Sequence, residues 1–429
     1  MLPQMHFVST RDLNHHATPS ETLTRGLAPD GGLYVPDSFP QVDPADAPSG
    51  DIADIAEHML APYFEGDPLA PMLDAVCADT FSFPVPLRDI GRDTSVLELF
   101  HGPTAAFKDV GARFLASALS HLNKDADQPI TILVATSGDT GAAVAAAFHE
   151  KPNVEVVVSY PKGRVSERQE KQLTGWDKNV RTLAVNGDFD DCQRLVKGAF
   201  QDEVLSTEKR LSSANSINVG RLLPQLTYYA AASRWYVARY GEAPGFIVPS
   251  GNLGNAVAAF YARAMGSPIR EMIMATNENR PVVDFLETGT WAPHPTQETL
   301  ATAMDVGDPS NMERLRHHWP DVDSVRAQGD AVQVMDAEIE RQIQQGPAVW
   351  DTVWDPHTAT AAAAREQRDD AHWVLVATAH PAKFDTVVEP LIGETVPVPE
   401  ALQAVMARST PAPLIEPTMQ AYREAVLAG

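Results

Sequence analysis

Short β-branched runs that end in small-residue turns and open onto alanine-rich helical patterns recur along this chain, and they constrain its fold more than any other feature. The runs are ITILVA (130–135) before TSGDTGAAVAAAFHE, VEVVVSY (154–160), Gly245–Pro249 before GNLGNAVAAFYARAMG, and Trp373–Ala377 before TAHPAKFDTVVEPLIG. Strand alternating with helix requires a mostly parallel sheet with helices on its faces, a doubly wound α/β core. The first ninety residues differ. GLAPDGGLYVPDSFP is rich in turn formers, and a helical pattern begins at Ile52 to Leu60 and runs on through Leu73 and Val76. Residues 1–90 therefore read as a small N-terminal domain, and residues 91–429 as the core.

The 429 residues are enough for two or three packed units, and 44% hydrophobic with 21% charged residues is an ordinary globular balance. The 57 acidic against 33 basic residues give a formal charge of -24, which repels nucleic acid and anionic membranes. An anionic ligand must then meet a locally basic site or one built from backbone amides and helix N-termini. Cys77 and Cys192 stand far apart, outside any CxxC spacing, so neither a disulfide framework nor a cysteine metal site is expected. No export signal, membrane span or metal motif is read, and a reducing cytoplasm fits best. The pairs His15/His16 and His317/His318 read as solvated surface histidines. Lys162, Arg164, Arg168 and Lys171, interleaved with Glu167 and Glu170, read as a solvated helix face.

Ligands of such sheets bind beyond the carboxyl ends of the strands. In Thr136-Ser137-Gly138-Asp139-Thr140-Gly141, small residues expose backbone N–H groups at a helix N-terminus, a cradle for a carboxylate. The same residues also suit a plain helix cap by Ser137 or Asp139. Ser250-Gly251-Asn252-Leu253-Gly254-Asn255 permits close approach to a phosphate. Asn215-Ser216-Ile217-Asn218-Val219-Gly220-Arg221 pairs small polar side chains with a planar cationic fork that matches phosphate geometry. Upstream, LELFHGPTAAFKDVGAR sets Lys108 between Phe107 and Asp109. Partial burial disfavours an ammonium, so Lys108 is a candidate nucleophile of the Schiff-base type.

LELFHGPTAAFKD, ATSGDTGAAVAAAF, NSINVGR, VPSGNLGN and TAHPAKF, in this order and spacing, closely resemble the threonine synthases of the longer bacterial and fungal type. That family belongs to the pyridoxal-phosphate enzymes of fold type II. FVSTRD and GLAPDGGLYVP resemble its opening, so the likeness covers nearly the whole chain. It implies an α/β architecture of two doubly wound parallel-sheet lobes over 91–429 and a threonine synthase-like N-terminal domain over 1–90. Leu253 stands where an aromatic is frequent in the family, and Ala105 where leucine often occurs.

The resemblance further implies pyridoxal 5'-phosphate as cofactor, with Lys108 its covalent anchor and Ser250, Gly251, Asn252, Leu253, Gly254 and Asn255 around its phosphate. Thr378 falls where this fold type sets a hydroxyl against the pyridine nitrogen. Asp139 replaces an amide that meets the phenolic oxygen in related enzymes, an awkward exchange unless the carboxyl is protonated or turned away. Ser137, Gly138 and Thr140 correspond to the substrate-carboxylate site, and Asn215, Ser216, Asn218 and Arg221 to the substrate-phosphate site. The implied reaction turns O-phospho-L-homoserine and water into L-threonine and phosphate, in the cytoplasm, by a monomer or homodimer. A phospholyase ending at 2-oxobutyrate shares these features. A nicotinamide oxidoreductase does not, since the glycine spacing is wrong for GxGxxG and VEVVVSY does not end in an acidic residue.

Overall fold

Strands built from unbroken apolar runs must be covered on both faces, and a computed structural model, which describes residues 5–136, 138–368, 371–408 and 410–428, covers them with helices. Two sheets carry the core. The first has five parallel strands in the order Leu414–Ile415, Val180–Val185, Val154–Pro161, Ile130–Ala135, Arg210–Ser213. The second has six, in the order Asp330–Gln333, Glu271–Thr276, Gly245–Pro249, Trp373–Ala377, Thr94–Glu98, Leu87–Asp89. All its pairings are parallel except the last, where Leu87 faces Leu97 on an antiparallel edge. The two doubly wound lobes are thus present, with the expected strands at their centres.

A third, antiparallel sheet of His16–Ala17, Phe7–Ser9 and Tyr34–Pro36 forms the N-terminal part with the helices Ile52–Phe64 and Leu73–Thr80. It shares an apolar cluster with the rest: Phe7, Leu23 and Tyr63 belong to the same buried set as Leu115, Leu226 and Phe260. Among the described residues no helix is long and apolar enough to cross a membrane.

The basic run lies on and before the helix Glu167–Thr174, and its charges are spent locally. Lys162 pairs with Glu170 and Lys171 with Glu167, as a solvated face would have it. Arg168 departs from that reading. It donates to the Ala382 carbonyl and pairs with Asp385 at 3.0 Å, clamping the turn Pro381–Phe384. His318 also departs. Its ring packs among Phe39, Tyr261 and Trp319, and burial pushes its pKa down to about 3. A helix ending in HHW turns that edge inward because the aromatic neighbours supply the apolar surface.

Candidate active site

Lys108 is the first residue of the helix Lys108–Leu122, and its loop is stitched to the end of the strand Trp373–Ala377. Phe107 N donates to Thr378 O (2.8 Å) and His380 N to Ala105 O (3.0 Å). These bonds join the two lysine-bearing loops, because the turn after Thr378 carries Lys383. Ala105 takes φ 53° to make the corner, a left-handed geometry that costs a non-glycine residue about 1–2 kcal/mol. The Thr378 amide donates to Thr358 Oγ1 (3.2 Å), while its own hydroxyl has no hydrogen bond among the described residues.

The Lys108 side chain is 16% exposed, and Nζ lies 3.7 Å from Asp139 Oδ2. Burial lowers its pKa; Asp139 opposes the shift, while Lys383 and Arg221 add to it. Asp139 opens the helix Asp139–Phe148 and is itself buried. Burial works against its charge, but Lys383, Lys108 and His357 hold the carboxyl well below the usual carboxylate range. At this position Asp139 is not turned away from Lys108, and Lys383 Nζ stands 3.1 Å from its Oδ1, a second cation beside the carboxyl. Of the two capping candidates, Asp139 makes no cap bond. Thr136 Oγ1 accepts from Gly138 N (3.0 Å) and Gly141 N (2.9 Å), which leaves Gly138 at φ 146° as an N-cap residue without a side-chain bond. Thr140 is partly buried in the first turn, and Ser137 lies outside the described residues.

Opposite stands the helix Val219–Tyr240. Asn218 caps it through Gly220 N (2.9 Å) and donates to Leu23 O and Ser213 O, so its side chain is consumed within the fold. Asn215 donates to Ala135 O (3.1 Å). Arg221 is buried and donates to the Ala214 carbonyl; among the described residues its Nε has no partner and no carboxylate lies in ion-pair range. Burial brings its pKa down to about 10, still cationic at neutral pH. A buried guanidinium with a free N–H and no counter-ion is a receptor for an anion.

The third loop opens the helix Gly254–Ala264. Leu253, at φ 61°, is an N-cap residue without a side-chain bond, so the first amides of this helix are left for a ligand. Elsewhere Thr18, Ser166 and Asp188 cap their helices. A Cβ on Gly251 would sit 2.6 Å from Met304 Cα, so only glycine fits there. Ser250 Oγ donates to Val248 O (2.8 Å). Asn255 accepts from the hydroxyls of Tyr228 and Tyr229 and leaves Nδ2 buried and unbonded. Asn252 Nδ2 donates to Ser216 Oγ (2.6 Å), joining the two phosphate-type loops.

Two residues of this frame went unread in the sequence. Lys383 sits inside AHPAKF, and nothing in that string marks it as buried. Arg314, fully buried, donates to Tyr34 O, Ser216 O, Ile217 O and Asn311 Oδ1, and Asn311 in turn holds Asn252 O (2.9 Å). The N-terminal sheet is thereby pinned to both loops.

These features suit a cofactor that joins an aldehyde to a phosphate: a lysine of lowered proton affinity, an open helix N-terminus, and orphaned donors on Asn255 and Arg221. Residues 88–416 match the family described as pyridoxal-phosphate dependent enzyme, and residues 6–81 match the threonine synthase N terminus. The threonine synthase of Escherichia coli K12 is 39% identical over 408 residues, 93% of this chain and 94% of that one. The chain belongs to the threonine synthase family. It is accordingly a pyridoxal-phosphate-dependent lyase. The crystal structure of the Escherichia coli threonine synthase superposes with a TM-score of 0.88, at 35% identity and 99% coverage of both chains. That of a pyridoxal-phosphate-bound threonine synthase from Brucella melitensis gives 0.90, at 33% identity and 98% coverage of both. The two substitutions noted against this threonine synthase family, Leu253 and Ala105, both occupy left-handed backbone positions.

Proposed function

We propose that the protein converts O-phospho-L-homoserine and water into L-threonine and inorganic phosphate. The observation that carries this reading is Arg221, buried, without a carboxylate in ion-pair range among the described residues, and packed against Gly111 on the helix that Lys108 opens. A phosphate-accepting group within reach of a proton-transferring amine is what a β,γ-replacement with a phosphate leaving group needs. Pyridoxal phosphate, when bound, supplies the electron sink for carbanionic charge at the substrate's α-carbon.

In this reading Lys108 Nζ anchors the cofactor, then removes and returns protons at the substrate carbons. Ser250 to Asn255 hold the cofactor phosphate, with the Asn255 amide donor and the open helix N-terminus as its contacts. Thr378 offers its unbonded hydroxyl to the pyridine nitrogen. Gly138 and Thr140 lie at the N-terminus of the helix Asp139–Phe148, where Thr136 Oγ1 already takes the Gly138 and Gly141 amides; in this reading the remaining first-turn amides and the Thr140 hydroxyl meet the substrate carboxylate, and Ser137 belongs to the same assignment. Arg221 and Ser216 take the substrate phosphate and stabilise the charge that grows as it leaves, while Asn215 and Asn218 shape their loop. Residues 1–90 form the N-terminal unit and 91–429 the catalytic core, although the strand Leu87–Asp89, on the N-terminal side of that boundary, pairs into the core's six-stranded sheet. Cytoplasmic residence is part of the reading, supported by Cys77 and Cys192, both buried as free thiols.

The test is a product balance. Purified protein loaded with pyridoxal phosphate and given O-phospho-L-homoserine should release phosphate and threonine in equal amounts. Phosphate accompanied by 2-oxobutyrate would make the protein a phospholyase, and no phosphate release would mean that Arg221 does not receive a leaving group.

A further inference from the structure

Lys383 is the one fully buried ammonium among the described residues, and the reading above gives it no task. Its Nζ donates to Thr104 O (2.6 Å) and Gln172 Oε1 (3.0 Å) and stands in ion-pair range of Asp139 Oδ1, at 3.1 Å. It cannot swing away, because its turn is held by Lys383 N to His380 O (3.1 Å) and by Arg168 on the Ala382 carbonyl. Asp139 therefore lies between two ammonium groups, Lys383 on one oxygen and Lys108, at 3.7 Å, on the other.

The charged and titratable groups around this triad come from four elements. The helix Lys108–Leu122 brings Asp109, Val219–Tyr240 brings Arg221, Pro356–Glu366 brings His357, and the turn Pro381–Phe384 brings Lys383 itself, with His380 at its N-cap. Asp109 is itself an acid, held by Thr104 N and Oγ1, and His357 is bonded to Asp355, so neither stands in for Lys383 as the partner of Asp139. With Lys383 absent, the buried carboxylate would have one ammonium left to pair with, that of Lys108, and would hold the proton on it.

We propose that Lys383 is a positioning residue for the reaction: it occupies the charge of Asp139 so that the Lys108 nitrogen can lose its proton near neutral pH. The inference rests on Lys108 being the cofactor lysine. It also explains how an aspartate can stand beside the anchor at all, since Asp139 and Lys383 together form a neutral pair. The lowered pKa of Lys108, to which Lys383 contributes, agrees in direction.

The experiment compares the unsubstituted protein with Lys383→Met, Lys383→Arg and the double variant Lys383→Met/Asp139→Asn. Two pH midpoints are read: that of the visible absorption band of the protein loaded with pyridoxal phosphate, and that of Lys108 acetylation by acetic anhydride in the stripped protein, followed by mass spectrometry. Lys383→Met should raise the Lys108 midpoint by about one pH unit or more, a tenfold gain in proton affinity. Lys383→Arg should stay near the unsubstituted value, and the double variant should return to it, because removing both charges restores neutrality. A Lys383→Met midpoint that is unchanged or lower, or a double variant that stays displaced, overturns the inference while leaving Lys108 as the anchor. Absence of a visible band in the unsubstituted protein overturns the Lys108 assignment itself, and the inference with it.

Discussion

Lys108 and Arg221 are single residues on which the account can fail. Lys108→Ala removes the only amine proposed to carry the cofactor, so the visible band and turnover should both disappear. Arg221→Ala removes a desolvated guanidinium from an anion site. It should lower kcat/KM for O-phospho-L-homoserine by about 30-fold or more, the low end of the 2–5 kcal/mol typical of a buried charged hydrogen bond. The steady-state comparison of these variants checks both. Asp305 gives a pH prediction. Burial raises its carboxyl to about 6, although Thr299 and Asn277 donate to it. The folded state then binds a proton that the unfolded state has lost between about pH 4 and pH 6, so this group's stabilising effect is present at low pH and fades as pH rises through 6. Asp305→Asn should therefore cost less thermal stability at pH 8 than at pH 5, as melts at the two pH values would show. The sequence displayed Lys108 and Arg221 because each adjoins a turn of small residues. Lys383 and Arg314 were hidden because what makes them matter is burial, and the strings AHPAKF and MERLRHHWP contain nothing that separates a buried cation from a solvated one.

Among the elements, the strand–turn–helix units were legible as units. ITILVA, VEVVVSY, Gly245–Pro249 and Trp373–Ala377 all lie in strands with apolar side chains on both faces, and that pattern is available to a reader of sequence. Sheet order was not, since it depends on contacts between distant segments, such as Val374 beside Ser95. Capping was legible only in part: the hydroxyl that serves the helix Asp139–Phe148 is Thr136, two residues before the N-cap residue Gly138. Gly251 tests the loop of the helix Gly254–Ala264. The methyl of Gly251→Ala would meet the Met304 backbone, which cannot give as a flexible side chain can. Overpacking of this kind costs about 1–3 kcal/mol; where that strain falls on the loop's ligand-holding form, pyridoxal-phosphate affinity should fall roughly 5- to 150-fold in an equilibrium titration.

For the molecule as a whole, the formal charge of -24 opposes the approach of a dianionic substrate. Its exposed part is screened within a Debye length, about 10 Å at 0.1 M salt, while the buried cation Arg221 is screened far less. Added potassium chloride should therefore raise kcat/KM for the phosphorylated substrate, the reverse of ordinary electrostatic steering, and salt titration of the initial rate measures it. The N-terminal unit takes part in the site through Arg314, which bonds Tyr34 on one side and the carbonyls of Ser216 and Ile217 on the other. Composition alone does not reveal that link, although the resemblance of FVSTRD and GLAPDGGLYVP marks the segment as belonging to the same enzyme family.

The most direct test of the central claim is to trap the cofactor where it is held. Protein loaded with pyridoxal phosphate is reduced with borohydride, digested, and mapped by mass spectrometry. The account predicts a single phosphopyridoxyl group on Lys108. The same label on Lys383, the other lysine beside Asp139, or no lysine label at all, would contradict it.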